Sequence, residues 1–216
     1  MSAGRNAPSP SLAAGVLVLA LLALSAGAGA QSPLTDQILI TVLRDQVFAV
    51  TPTEGLMRVD LLAGEEALSA TSKGLNALVL TTSRLLGFSS QVMRWSELRT
   101  DLGEKVMESR VTPRLILVRT DKHLYGFQGQ LGRWKTEDLG VREEVRETLA
   151  ADSVAVVVTN RRALAFSAFT GGFFLQDLSN DDPVISSAVN DNVVILTTGT
   201  RRWIFRSQLA VWAELR

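Results

Sequence analysis

Short apolar runs return along this chain at a nearly constant interval: Ile38-Leu39-Ile40, Ala77-Leu78-Val79-Leu80, Leu115-Ile116-Leu117-Val118, Val154 to Val158 and Val193 to Leu196. Runs of Val, Ile and Leu with no polar face predict strands covered on both sides. A polar turn follows most of them, as at Thr82-Ser83, Asp121-Lys122, Asn160-Arg161 and Gly199-Thr200. A second predicted strand then ends on Phe, as in Leu85-Leu86-Gly87-Phe88 and Leu124-Tyr125-Gly126-Phe127. After another turn a third strand carries Trp95, Trp134, Phe173-Phe174 or Trp212, with Val59 in that place in the first unit. Each third strand closes on an acid followed by Leu: Asp60-Leu61, Glu97-Leu98, Asp138-Leu139, Asp177-Leu178 and Glu214-Leu215. A more polar strand leads into the next unit, for example Val106 to Val111 and Val184 to Val189. Gly140 to Ala150 holds Arg142, Glu143, Glu144, Arg146 and Glu147, a density of charge that predicts a short helical turn there.

One pattern captures the interval. Thr-x-x-(Arg/His)-x-x-x-Phe occurs at Thr41–Arg44–Phe48, Thr81–Arg84–Phe88, Thr120–His123–Phe127, Thr159–Arg162–Phe166 and Thr198–Arg201–Phe205, with the Phe residues 40, 39, 39 and 39 positions apart. A fixed period of this size means one supersecondary unit copied several times. Four strands per unit, with an aromatic docking position in each, predict an all-β fold: a five-bladed β-propeller of four-stranded antiparallel blades with a period of about 39 residues. The alternatives are an open or partner-completed propeller, and a prism or stacked solenoid. The third copy, Leu115 to Trp134, resembles the blades of quinoprotein-like and, more loosely, kelch-like propellers, where a strand ending in an aromatic-containing triplet precedes a turn and a strand Trp. That resemblance covers about residues 34–216 and implies the fold alone, because neither the kelch double glycine nor the quinoprotein Ala-x-Asp recurs with the repeat. The first unit must draw its innermost strand from Gln31 to Gln37, where Pro33 makes a poor ladder member.

The N-terminal segment follows a different logic. Arg5 precedes a 13-residue apolar run, Leu12 to Leu24, and small residues continue to Ala28-Gly29-Ala30. This predicts a signal peptide over residues 1–30, cleaved before Gln31, and a single domain over 31–216. The expectation is an exported protein, periplasmic or extracellular, with no membrane span after cleavage. An uncleaved anchor over residues 12–30 is the alternative. Without residues 1–30 the chain keeps 186 residues with 21 basic and 22 acidic side chains. Near-neutral charge gives no electrostatic basis for binding nucleic acid. The absence of Cys excludes disulfides, so packing must supply the stability.

Candidate chemistry is sparse. With one His and no Cys, metal sites built on His or Cys clusters are excluded, and no cofactor is expected. A Ser–His–Asp arrangement has only His123 to use, and no Gly-x-Ser-x-Gly elbow exists. Asn180-Asp181-Asp182 and Asn190-Asp191-Asn192 lack the spacing of a calcium loop. Arg44, Arg84, His123, Arg162 and Arg201 would ring one face of a propeller, where they suit an anionic ligand or acidic partner. The competing reading pairs Arg84 with Glu97, Arg162 with Asp177 and Arg201 with Glu214 across hairpins, as structural ion pairs. Trp95, Trp134, Phe174 and Trp212 read as wedges between blades. Tyr125 and Trp203 depart from the repeat and, if exposed, are the better ligand candidates. The function these features favour is a non-catalytic module binding a protein partner through one face. A lectin-like propeller binding glycans is the alternative, and a small glycoside hydrolase using Glu66, Glu108 or Glu147 a weaker one.

Overall fold

A computed structural model describes residues 38–52 and 55–215 of the chain, and every described regular element is a strand. Blade 1 holds β1 (Leu39–Val42), β2 (Gln46–Thr51) and β3 (Gly55–Asp60). Blade 2 holds β4 (Ala67–Lys73), β5 (Asn76–Thr81), β6 (Arg84–Ser89) and β7 (Arg94–Arg99). Blade 3 runs through β8 (Val106–Val111), β9 (Leu115–Thr120), β10 (His123–Gln128) and β11 (Arg133–Asp138). Blade 4 comprises β12 (Val145–Ala150), β13 (Val154–Thr159), β14 (Arg162–Ser167) and β15 (Gly172–Asp177). Blade 5 comprises β16 (Val184–Asn190), β17 (Val193–Thr198), β18 (Arg202–Arg206) and β19 (Val211–Leu215). Each sheet is antiparallel with its strands in chain order, and the whole is a five-bladed β-propeller. The first sheet shows three strands, and the fourth strand expected from Gln31 to Gln37 lies outside the described residues, as does the expected signal peptide.

The apolar runs occupy the middle of each sheet because only there are both faces covered. In β5, β6 and β13 every residue is buried, whereas β4 and β7 at the edges hold no fully buried residue. Alternate residues serve opposite seams. Leu86 and Phe88 of β6 pack on Val47, Val59 and Ala49 of blade 1. Leu85 packs with Ile116, Val118, Tyr125 and Phe127 of blade 3. Seams of the same kind join blade 3 to 4 and blade 4 to 5.

The recurrent Phe explains its small neighbour. A Cβ on Gly87 would lie 2.8 Å from the Phe127 ring, and one on Gly126 would meet the Phe166 ring. Phe205 shares its cluster with Ala165, and Phe88 with Ala49, at the equivalent positions. Each Phe therefore fills a hole that the preceding blade leaves with Gly or Ala. The third-strand aromatics close the same seams: Trp95 donates its indole N–H to the Met57 carbonyl (3.1 Å), Trp134 to Ser96 (3.0 Å) and Trp212 to Phe174 (3.0 Å). In blade 4 this place belongs to Phe173, opposite Phe166 in the register, and not to Phe174.

Two expectations are corrected. The charged stretch 140–150 is not helical: a turn at Val141-Arg142 leads into β12, which fills its second half with a bulge between Val145 and Glu147. The buried strand β13 needs a partner for its second edge, and that ladder outweighs local helix preference. The first copy of the repeat is also displaced. In blade 1 Val42 pairs with Val47, so Gln46 stands where Arg84 stands in blade 2, and Val50 stands where Phe88 stands. Arg44 is an exposed turn residue, Phe48 faces away from blade 2, and Leu56 rather than Val59 takes the third-strand aromatic position. Thr41 and Phe48 match the pattern in letters but not in hairpin register.

Candidate functional site

Two ends of the blades carry the side chains of interest: the linker end, which bears the linkers between blades and the turn between the two middle strands, and the opposite turn end, which bears the other two turns of each blade. At the linker end the Thr of the repeat anchors a small network. The N–H groups of Arg84, His123, Arg162 and Arg201 donate to the hydroxyls of Thr81, Thr120, Thr159 and Thr198 at 2.8, 2.8, 3.0 and 2.9 Å. Those hydroxyls in turn donate to Glu65, Glu104, Glu143 (2.9 Å) and Asp182 (2.7 Å) in the linker entering each blade. Sequence reasoning missed these acids, although they recur every 39 residues. Glu143 and Asp182 fell in segments assigned to a helical turn and an acidic turn, and Glu65 and Glu104 drew no assignment.

In blade 2 Arg84 completes the network. Its Nε donates to Glu65 Oε1 (2.9 Å), its Nη2 to Glu65 and the Asp60 carbonyl, and its Nη1 to Glu97. Arg162 does the same in blade 4 with Glu143 (2.8 Å), Glu137 of the preceding blade (3.1 Å) and the Asp138 carbonyl (2.7 Å). Asp177 stands opposite Arg162 in the register, but the guanidinium turns to Glu143 and Glu137. Arg201 and Glu214 approach only to 4.0 Å, both exposed. The five expected basic groups do not converge as an open ring: Arg84 and Arg162 are spent on seams, and Arg44 sits in the exposed β1–β2 turn at the same end, outside the strand position the others hold.

Burial pushes the Glu65 carboxyl up, but hydrogen bonds from Arg84, the Leu62 N–H, Thr81 and Ser83 outweigh it and hold the group down at about 2. Glu104 and Glu143 are lowered against burial in the same way, Glu104 chiefly by Thr120 and His123, Glu143 chiefly by Arg162. A lowered carboxylate stabilises the fold fully above its ordinary value near 4.5 and loses that contribution as pH falls through the folded one. The urea midpoint is therefore expected to drop as pH falls from about 4.5 toward about 2. A midpoint that stays flat through this window removes the account.

Blade 3 departs from its neighbours. His123 replaces the Arg, with Nδ1 2.9 Å from Glu104 Oε1 and Nε2 3.4 Å from Asp138 Oδ1. Tyr125 takes the place of Leu86 and Leu164, and its hydroxyl lies 2.9 Å from both Glu104 oxygens and 3.2 Å from His123 Nδ1. Burial and the Glu104 charge raise the phenol well above its ordinary range, so Tyr125 stays the donor. Asp101, His123 and Glu104 each offer one ligand atom within 4.8 Å of the others, a mixed set that the exclusion of His and Cys clusters did not cover. Folding thus joins His123 and Tyr125 in one cluster. Trp203 is half-buried against blade 4, beside a cavity of about 130 Å³ that Asp182 and Arg201 also line.

The turn end is sewn by buried polar side chains. Ser89 donates to the Gly129 carbonyl, Gln128 to Ala168 (3.0 Å) and Ser167 to Ser207 (2.7 Å), each from one blade to the next. Between blades 2, 3 and 4 this end opens a pocket of about 270 Å³ walled by Leu75, Pro113, Ala168 and Phe169, with Gln91, Gln130 and Arg114 at its polar side. Arg114 pairs with Asp152 (3.0 Å) and lies 5.8 Å from the centre of the Phe169 ring. Val92 and Leu131, at neighbouring turn tips, are 40% and 45% exposed. Among the described residues no helix is long and apolar enough to cross a membrane.

No family model matches the sequence, and no curated protein matches it. Among solved structures the chain is similar to Hsv2 of Kluyveromyces lactis (TM-score 0.39, 14% identity, covering 85% of this chain and 61% of that one). It is also similar to Prp20p of Saccharomyces cerevisiae (TM-score 0.37, 9% identity, covering 77% of this chain and 56% of that one). The chain thus spans about three-fifths of the length of these structures, and the likeness is one of fold.

Proposed function

We propose that this protein is an exported, non-catalytic propeller that binds a protein partner at the turn end of its blades. The pocket between blades 2, 3 and 4 carries the reading. Its walls are apolar and aromatic, a few polar groups gather on one side, and exposed Val92 and Leu131 extend the apolar surface beside it. A concave site of this kind accepts one apolar anchor side chain, and anchors seated in such pockets dominate protein interfaces. At the linker end, by contrast, Arg84 and Arg162 are already committed to seams. Export rests on the Leu12 to Leu24 run and the Ala28-Gly29-Ala30 end.

One experiment tests both parts. The tagged protein is recovered from its native host by fractionation, its N-terminus is read, and co-purifying proteins are compared among variants. The expected N-terminus is Gln31, in a fraction outside the cytoplasm. A partner retained by the native protein and by Val141→Asp, at an exposed linker position, but lost with Phe169→Ala and Leu75→Asp supports the pocket. A partner held equally by all four removes it, and an intact N-terminus in the cytoplasm removes export.

A further inference from the structure

We propose that blade 3 carries a divalent-metal site of the zinc class, built from His123 Nδ1 and the carboxylates of Glu104 and Asp101. It lies at the linker end, away from the pocket to which partner binding is assigned, and does not depend on that reading.

Comparison among the blades carries the argument. In blades 2 and 4 the buried linker acid is neutralised by a guanidinium, Arg84 on Glu65 and Arg162 on Glu143. Blade 3 keeps the buried acid, Glu104, and the Thr that holds it, but no Arg arrives. Three positions change together. His123 stands for the Arg, and Tyr125 for Leu86 and Leu164. Asp101 stands for Leu62 and Gly140, the residues whose N–H groups bond the acid three positions on. Changes that only loosened a structural ion pair would not add a second carboxylate beside it. With Asp138 beside Nε2, three carboxylates surround one imidazole where neighbouring blades place a fixed cation.

The geometry suits a metal. Zinc bonds to imidazole nitrogen and carboxylate oxygen are about 2.0–2.2 Å long, which sets donor atoms in a tetrahedral shell about 3.3–3.5 Å apart. His123 Nδ1 and Glu104 Oε1 are 2.9 Å apart, a hydrogen-bond separation that must open by about 0.5 Å for both to ligate one ion, and the whole donor set lies within 4.8 Å. Asp101 is exposed on the linker, so its carboxylate is free to close the remaining gap. Nε2 faces Asp138, in the manner of the outer carboxylate that orients a metal-bound imidazole. The Tyr125 hydroxyl lies beside the donor set, 2.9 Å from both Glu104 oxygens and 3.2 Å from His123 Nδ1, where it donates to Glu104 and holds that carboxylate in place. A surface groove of about 540 Å³ reaches Asp101 on the linker, and the His123 side chain is 19% exposed while that of Glu104 is buried, so an ion would enter from the Asp101 and His123 side.

The test uses the full chain, purified through a tag free of histidine, and ZnCl₂ as the probe. Calorimetric titration is expected to saturate at one Zn²⁺ per chain with a micromolar or tighter dissociation constant. His123→Arg, which installs the side chain that blades 2 and 4 already carry, is expected to fold and to weaken binding at least tenfold. Asp101→Gly, the residue found at position 140, is expected to weaken it likewise. Because the chain has one histidine, ¹⁵N-histidine labelling yields a single imidazole, whose Nδ1 resonance should shift on zinc addition while Nε2 keeps its proton. Absence of saturable binding, equal binding by His123→Arg, or saturation by Ca²⁺ alone with no change at the imidazole would each overturn the proposal.

Discussion

Arg84→Ala is expected to destabilise the protein by about 3–5 kcal/mol, measured as the change in urea unfolding free energy. Arg84 is 3% exposed and Glu65 7% exposed, and the guanidinium is the only cation reaching that carboxylate among the described ion pairs. Removing it leaves a buried charge without its counter-ion, which costs far more than the pair itself is worth. Glu97→Ala tests the other partner. Its side chain is 48% exposed, so water replaces the lost contact and the expected cost is about 0–1 kcal/mol. Replacing both members of the buried pair, Glu65→Leu with Arg84→Met, should recover most of the loss, because apolar substitutes of similar size carry no desolvation penalty. If Arg84→Ala and Glu97→Ala cost the same, Glu65 is not the partner that matters.

Phe166→Ala is expected to cost a further class of energy, that of a cavity, at about 3–5 kcal/mol. Phe166 is fully buried, with its ring against Gly126 of the preceding blade and 4.9 Å from that of Phe173. Gly126 has no side chain to extend into the space. Phe48→Ala should cost only about 1 kcal/mol, because Phe48 is half-buried on the face of blade 1 turned away from blade 2. The two residues look identical in the sequence repeat. Equal costs would restore Phe48 to the repeat and contradict the register of the first hairpin.

That pair of residues shows what was legible before folding. The buried strands β5, β9 and β13 coincide with the apolar runs, because a strand covered on both faces has nothing polar to dilute its pattern, while β17 keeps an apolar run although Ile195 is exposed. The seam role of Trp95, Trp134 and Trp212 was legible from period alone. The first hairpin was not, because letter spacing cannot see which residues pair, and Thr41 to Phe48 satisfies the spacing two residues out of step. Partner choice by Arg162 was hidden for a different reason. A guanidinium on a long stem reaches across a seam to Glu137, so the residue opposite in the ladder is not the one it contacts. The linker acids were present as a clean period, but their meaning depends on a chain reversal that brings Glu104 back over Thr120, and only that reversal joins Asp101 to His123.

The holes left by Ala49, Gly87, Gly126 and Ala165 all lie earlier in the chain than the rings that fill them, and each third-strand indole reaches back to a carbonyl already laid down. The molecule therefore has a direction. On a ribosome every blade after the first emerges to find its seat complete, with nothing yet to be made that the seam requires. Among the described blades Ile204 stands at the hole position of blade 5 and Val50 at the ring position of blade 1, so neither repeats the fit of Phe against Gly or Ala. What reads in the sequence as a repeat is, in the order of synthesis, a queue.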